Sequence, residues 1–197
     1  MKKVLALILV GIMIASFVGC EKSNNTTDNS ESNKLEGVNA PIDILNAVWS
    51  SYSDEEKFPI MGGDFNVDNL VDGAPGVFDI TDKNALGAQL VCGEEAAKMV
   101  ECAASFTHSM NSNIFTGAAY RLKKADDSDK FSTLMLDSLK NNTWICGSPD
   151  KVMVAELTDG YVVVSFGQDG DGEIFTTFKD KLKKIYNFAD IKVDSIQ

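Results

Sequence analysis

From Val4 to Val18 the chain is apolar except at Gly11 and Ser16, and from Glu21 to Gly37 it is polar except at Leu35. Only from about Asn39 does the alternation of a folded domain begin. Pro41 opens a helix that carries Ile42, Leu45, Trp49 and Tyr52 at helical spacing. The stretch from Phe58 to Ile80 is rich in Gly, Asp, Asn and Pro and reads as loop or short elements. Thr81 or Asp82 caps a short helix through Leu90, and Glu94 to Ala104 reads as another, with Ala96, Ala97, Val100 and Ala104 inward. A strand from Phe106 to Met110 then turns through Asn111-Ser112-Asn113 into a longer one, Ile114 to Leu122. Ser128 caps a helix that buries Phe131, Leu134, Met135 and Leu139.

Two β-rich runs follow, Lys151 to Leu157 and Tyr161 to Phe166, joined by Thr158-Asp159-Gly160. Asp-Gly between such runs is a hairpin signal, because a tight primed turn needs positive φ. The last helix runs from about Glu173 to Tyr186 with Ile174, Phe178, Leu182 and Ile185 inward, and Ile191 and Val193 add an edge strand. The order is β-α-β-β-α-β, the split pattern of ferredoxin-like folds. The predicted class is therefore α+β: an antiparallel sheet with a ferredoxin-like core and two helices on one face. Additional N-terminal helices cover an edge or the second face.

The N-terminal pattern sets the domain organisation. Lys2 and Lys3 precede the apolar run, and Phe17-Val18-Gly19-Cys20 places small Gly19 directly before a cysteine. A basic start, a short apolar run and a cleavage-like end fit a removable secretory signal rather than a spanning helix. Phe17 to Cys20 resembles a lipobox, although that motif more often carries Leu at the position of Phe17 and Ala or Ser at that of Val18. The resemblance implies a diacylglycerol on Cys20 and a new N-terminus there. Two acyl chains suffice for stable anchoring at ~0.8 kcal/mol per buried methylene. The expected parts are a signal peptide over 1–19, a lipidated Cys20 with a flexible tether over 20–38, and one globular domain over 39–197. A coil of this composition cannot bury enough surface to fold, and its reach is roughly 20–25 Å, with an extended limit near ~60 Å. The expected location is the outer face of the cytoplasmic membrane, or the outer membrane in a host with two membranes, and any partner is membrane-proximal.

Charge narrows the partners further. The full chain carries a net charge of −11, and loss of residues 1–19 removes two lysines and no acid, leaving about −13. Such a field repels nucleic acid and anionic lipid. Of four cysteines, Cys20 is taken by the lipid, so Cys92, Cys102 and Cys146 allow at most one disulfide within the chain. Cys92 and Cys102 are close enough in sequence to pair; buried free thiols are the favoured reading.

Candidate chemistry is sparse. Gln168-Asp169-Gly170-Asp171-Gly172-Glu173 spaces three carboxylates alternately, as a calcium loop does, but Ile174 stands where that loop requires Gly. A strand-to-helix turn, with Asp171 capping and Glu173 favouring the helix dipole, is preferred over a metal site. Met61-Gly62-Gly63-Asp64-Phe65 superficially matches the signature of cyclic-dinucleotide cyclases but lacks the Glu before Phe65, so the Gly-Gly pair reads as a turn. His108 is the only histidine. Paired with Cys102 or Cys146 it would make a thiolate nucleophile, but Cys102 reads as a small core residue of a helix. No Gly-x-Ser-x-Gly and no zinc spacing occurs. Trp49, Tyr52, Phe58 and Phe65 lie around the long loop Ser53–Asp79 and are the candidate binding residues, either lining a groove or packing the first helix.

Glu94-Glu95-Ala96-Ala97-Lys98-Met99 ahead of the Ile114 strand, and Gly160-Tyr161-Val162-Val163-Val164 with its closing helix, complete a resemblance that begins with the signal and tether. Over roughly Pro41 to Tyr186 the chain resembles Gram-positive lipoproteins grouped as domain of unknown function 4358. That resemblance implies a small lipid-anchored domain and transfers no catalytic residues. The expectation is a non-enzymatic binding domain near the membrane, without a cofactor or metal. It engages a protein, peptide or envelope ligand through the sheet face or the Ser53–Asp79 loop. The alternatives are a thiol-dependent envelope hydrolase or transferase using His108, and a calcium-stabilised surface module.

Overall fold

The structure, a computed structural model, describes residues 35–110, 114–145, 147–169 and 173–196. The signal, Cys20, most of the tether, Cys146 and Asp171 lie outside the described residues.

The first helix, α1 (Pro41–Ser50), starts at a proline that needs no N–H partner, and the Asp43 carboxylate accepts the N–H groups of Asn39 and Ala40 at 2.8 and 3.0 Å. Three short strands follow, β1 (Ile60–Gly62), β2 (Val71–Asp72) and β3 (Gly76–Phe78). Next comes α2 (Lys83–Leu90), capped by Asp82, whose carboxylate accepts from Asn84 and Ala85 N–H. The one-turn α3 (Glu94–Ala97) gives way to β4 (Val100–His108), antiparallel to β5 (Phe115–Leu122). Then come α4 (Ser128–Lys140), β6 (Lys151–Glu156), β7 (Tyr161–Gly167), α5 (Ile174–Ile185) and β8 (Asp190–Ser195). The β6–β7 turn has positive φ at Asp159 (59°) and Gly160 (74°), as Asp-Gly led us to expect.

All eight strands form one antiparallel sheet in the order β2-β1-β4-β5-β7-β6-β8, with β3 on β4 beside β1. This order departs from the ferredoxin-like arrangement. There the last strand would lie beside β5, but β4 occupies that edge of β5, so β8 closes on the free edge of β6. The helices differ too. α4 packs with α2 and α3 over one face, on Tyr120, Val154, Val162 and Phe166. α5 packs with α1 over the other, on Phe106, Phe115, Met153 and Val163. Every residue of β7 is buried, and so are the central four of β6, because the sheet is covered on both faces.

Three local expectations also change. The helix expected over Glu94–Ala104 ends at Ala97, and Cys102 and Ala104 belong to β4; the small Ala103 and Ala104 let the helix layers approach the sheet from both sides. Ser128 does not cap α4: its hydroxyl donates to Ala125 O at 2.8 Å, and Asp127 stands at the cap position. Ile185 is exposed, and Phe175 takes the inward place on α5.

Candidate functional site

The segment from Ser53 to Asp79 builds two surfaces. The first is a cleft of about 370 Å³ between the end of α1, the end of β4 and the start of α5. Its floor is aromatic. Phe58 stacks flat on His108, with centroids 5.1 Å apart and planes 6° from parallel, and meets Trp49 edge-on at 5.3 Å. Trp49 in turn touches Tyr52 at 5.0 Å and Phe106 at 5.7 Å, which ties the cleft to the α1–α5 core. Three of the four aromatics singled out in the sequence, Trp49, Tyr52 and Phe58, therefore meet in one cluster. Tyr52 and Phe58 line the cleft and Trp49 lies behind them.

His108 is the last residue of β4 and is buried. Its Nδ1 accepts the Met110 N–H at 3.0 Å, so in the neutral ring Nε2 carries the proton. Burial pushes its pKa below the ordinary value, against the pull of the Met110 contact. The Tyr52 hydroxyl is buried and hydrogen-bonds to no other described group; burial, reinforced by the Glu56 charge, pushes its pKa up. Glu56 is clamped at the rim. Lys181 Nζ pairs with it at 2.8 Å and the Ser53 N–H donates to it at 2.7 Å, which lowers its pKa to about 2. The same ammonium donates to Ser51 O at 2.9 Å and sits 5.0 Å above the Tyr52 ring, fastening α5 to the end of α1.

The second surface is an apolar ridge on the other part of the same segment. Phe65, Val67, Leu70, Val71 and Val77 are all exposed, Val67 at 88%. Among the described residues these make up five of the nine exposed large apolar side chains, all within thirteen residues of sequence. Phe65 thus lies on this ridge and makes no ring contact with the Trp49–Tyr52–Phe58 cluster.

The loop beneath the ridge is pinned from inside. Asp64 is buried, and its carboxylate accepts from Asn66 N–H (2.9 Å), Asn69 Nδ2 (3.0 Å) and Asp79 N–H (3.2 Å). Gly63 donates its N–H to Ser105 O at 3.1 Å, and the Ser105 hydroxyl donates back to Gly63 O at 2.9 Å. The expected Gly-Gly turn falls on Gly63 alone, because Gly62 is the last residue of β1 and pairs with Val71 and Phe106. Gly63 has φ +81°, and a Cβ on Gly62 would sit 2.2 Å from Ala74 O. Asp64 as the loop's pin was not anticipated, because nothing in the local sequence marks that carboxylate as buried.

The thiol and calcium constellations do not assemble among the described residues. Cys102 lies six residues from His108 on β4, roughly 20 Å along an extended strand. Cys92 packs in the core of the opposite face, and burial pushes its thiol up to about 12, far from a thiolate. Cys92 is a free thiol, so the Cys92–Cys102 bridge is not formed. Asp169 is already spent on structure: it pairs with Lys151 and accepts the Thr176 N–H and hydroxyl, both at 3.0 Å. It thereby caps α5, where Asp171 had been expected to act. Burial raises its pKa, but Lys151 and Thr176 outweigh this and hold it below the usual range. No group of three or more His, Cys, Asp or Glu side chains among the described residues is placed to hold a metal ion.

Comparison with protein-family models, curated proteins and solved structures found no match to this chain.

Proposed function

We propose that this chain is an extracytoplasmic lipoprotein, anchored through lipidated Cys20, whose domain binds a membrane-proximal protein partner without catalysing a reaction on it. The observation that carries the binding role is the exposed apolar ridge Phe65–Val67–Leu70–Val71–Val77 on a loop held rigid by Asp64. A preordered apolar surface loses little conformational entropy when it is covered, which is what a docking site requires. The anchor rests on Lys2, Lys3, the Val4–Val18 run and Gly19-Cys20, and membership of domain of unknown function 4358 on the residue stretches that resemble it. The test is crosslinking in the native cell: substitution of Val67 by Asp should abolish the partner, while metabolic lipid labelling should depend on Cys20.

A second reading is favoured by the cleft. The neutral His108 Nε2–H stands beside the Phe58 ring at a cleft that Tyr52 also lines, an arrangement that suits a small uncharged ligand with an acceptor oxygen. His108→Phe would then weaken ligand binding while leaving the ridge partner in place. An enzyme pairing Cys102 with His108 is disfavoured by their separation along β4, and a pairing with Cys146 lies outside the described residues.

A further inference from the structure

Among the described residues β8 is an outer strand of the sheet and pairs with β6 alone. Its ladder decides which backbone groups are used. Ile196 N–H donates to Asp150 O at 3.0 Å, and the register pairs Asp194 with Val152 and Lys192 with Val154. In an antiparallel ladder the used and unused groups alternate, so Asp190, Lys192 and Asp194 bond toward β6. Ile191, Val193 and Ser195 turn their N–H and C=O groups outward. Side chains alternate as well. Lys192 reaches Asp129 of α4 at 3.5 Å and Glu156 at 2.9 Å, and Asp194 pairs with Lys140 of α4, so both lie on the α4 face. Ile191 packs toward the α1–α5 core, and Val193 on the same face is 48% exposed.

We propose that β8 pairs with β8 of a second copy of this chain, antiparallel and with Val193 on the two-fold axis, so that the two sheets continue as one. The charges and the length of strand paired together select that register. A sheet that keeps its faces on crossing the axis must pair residues of the same parity. Centring on Lys192 sets lysine against lysine and Asp190 against Asp194, and centring on Asp194 sets aspartate against aspartate. Centring on Ile191 opposes Lys192 to Asp190 twice but pairs only three residues of β8, because the ladder then runs into Ala189 beyond the strand. Centring on Val193 sets Lys192 against the second copy's Asp194 twice and Ile191 against its Ser195. In that register Val193 exchanges both of its outward backbone bonds with its own copy. The Ser195 N–H, which Asp194 Oδ1 accepts at 2.9 Å in the single chain, passes to the second copy's Ile191 carbonyl. A lysine-only edge would repel itself and protect the sheet; this Lys–Asp edge is self-complementary, and the Val193 register pairs the most of it. The helices leave room. The two β6 strands would stand three strand spacings apart, roughly 14 Å, more than the 8–10 Å of packed helices, and α4 lies on their far sides over β6 and β7.

The experiment is native mass spectrometry of the full chain in detergent at tens of micromolar. The expected result is a species of twice the protomer mass. Val193→Pro removes only an outward N–H that β6 does not use. It should weaken the dimer roughly tenfold or more while leaving the melting temperature of the fold unchanged. Should Val193→Pro prove unstable, Asp194→Lys also breaks the dimer by opposing lysines. A protein that stays monomeric, a dimer untouched by these variants, or a monomer that carries a foreign strand on this edge would overturn the proposal.

Discussion

His108 shows how much one side chain's surroundings decide. Its ring is stacked on Phe58 and buried, and its Nδ1 is occupied by the Met110 N–H, so the neutral form fits the site and the cation does not. A histidine whose folded pKa is lowered binds its proton more readily in the unfolded chain. Stability is therefore fully present above about pH 6.5 and is lost as pH falls through the lower folded value. Because His108 is the only histidine, its imidazole resonances in a proton NMR titration are unambiguous. Their midpoint should lie below about 6.5, and a midpoint at or above that would contradict the geometry. Glu56 acts lower on the scale: with its pKa held near 2 by Lys181 and the Ser53 N–H, its contribution is present above the ordinary carboxylate pKa of about 4.3. It disappears as pH falls toward 2. Asp64 carries a third prediction. Asp64→Ala leaves three inward donors without an acceptor and should cost about 1–3 kcal/mol in denaturant melts. Trp49, Tyr52 and Phe58 were legible as a cluster because Trp49 lies in the last turn of α1 and the other two follow within nine residues of it, although the helix expected to carry Tyr52 ends at Ser50. Asp64 was not, since an Asp in a Gly-rich loop looks the same in sequence whether it faces water or the interior.

At the scale of elements, β1 and β3 act as two halves of one strand along β4. Ile60 to Gly62 pairs with Phe106 to His108, and Gly76 to Phe78 pairs with Ala103 to Ser105. The halves meet where Gly62, Gly63 and Gly76 bring backbones into contact, and a Cβ on Gly76 would sit 2.5 Å from Gly63 N. Gly62→Ala should therefore be among the most destabilising single-methyl additions in the chain. Overpacking costs about 1–3 kcal/mol, and backbone cannot yield as a flexible side chain does. A melting temperature within a degree of the parent would show that the junction gives way. α5 depends on Asp169, and Asp169→Ala should lower stability by about 1 kcal/mol, with or without added calcium. A calcium-dependent rise in melting temperature that Asp169→Ala removed would revive the metal reading. The hairpin at Asp159-Gly160, α2 with its Asp82 cap, and α4 and α5 were readable from local signals. β4 was misread at its start because Ala96, Ala97, Ala103 and Ala104 look helical. Only packing from both sides explains why small residues lie in a central strand.

For the whole molecule, the decisive fact is that the sheet is covered on both faces, by α1 and α5 on one and by α2, α3 and α4 on the other. The sequence held the signal in Val162-Val163-Val164 and Val152-Met153-Val154. These runs are apolar at every position where a half-exposed strand would alternate. With β5, β6 and β7 covered on both faces, what the layers leave open lies at the outer strands and loops. Those places are the cleft beside His108, the ridge from Phe65 to Val77, and the edge at β8. The anchor and the ridge together make the central claim, that a tethered domain docks a neighbour at the membrane. The measurement that tests it most directly is proximity crosslinking of the full chain in its native cell, read by mass spectrometry beside Cys20→Ala and Val67→Asp. The expected result is one reproducible partner, lost with Val67→Asp and reduced when the anchor is removed. The same proteins crosslinked to all three forms would contradict it.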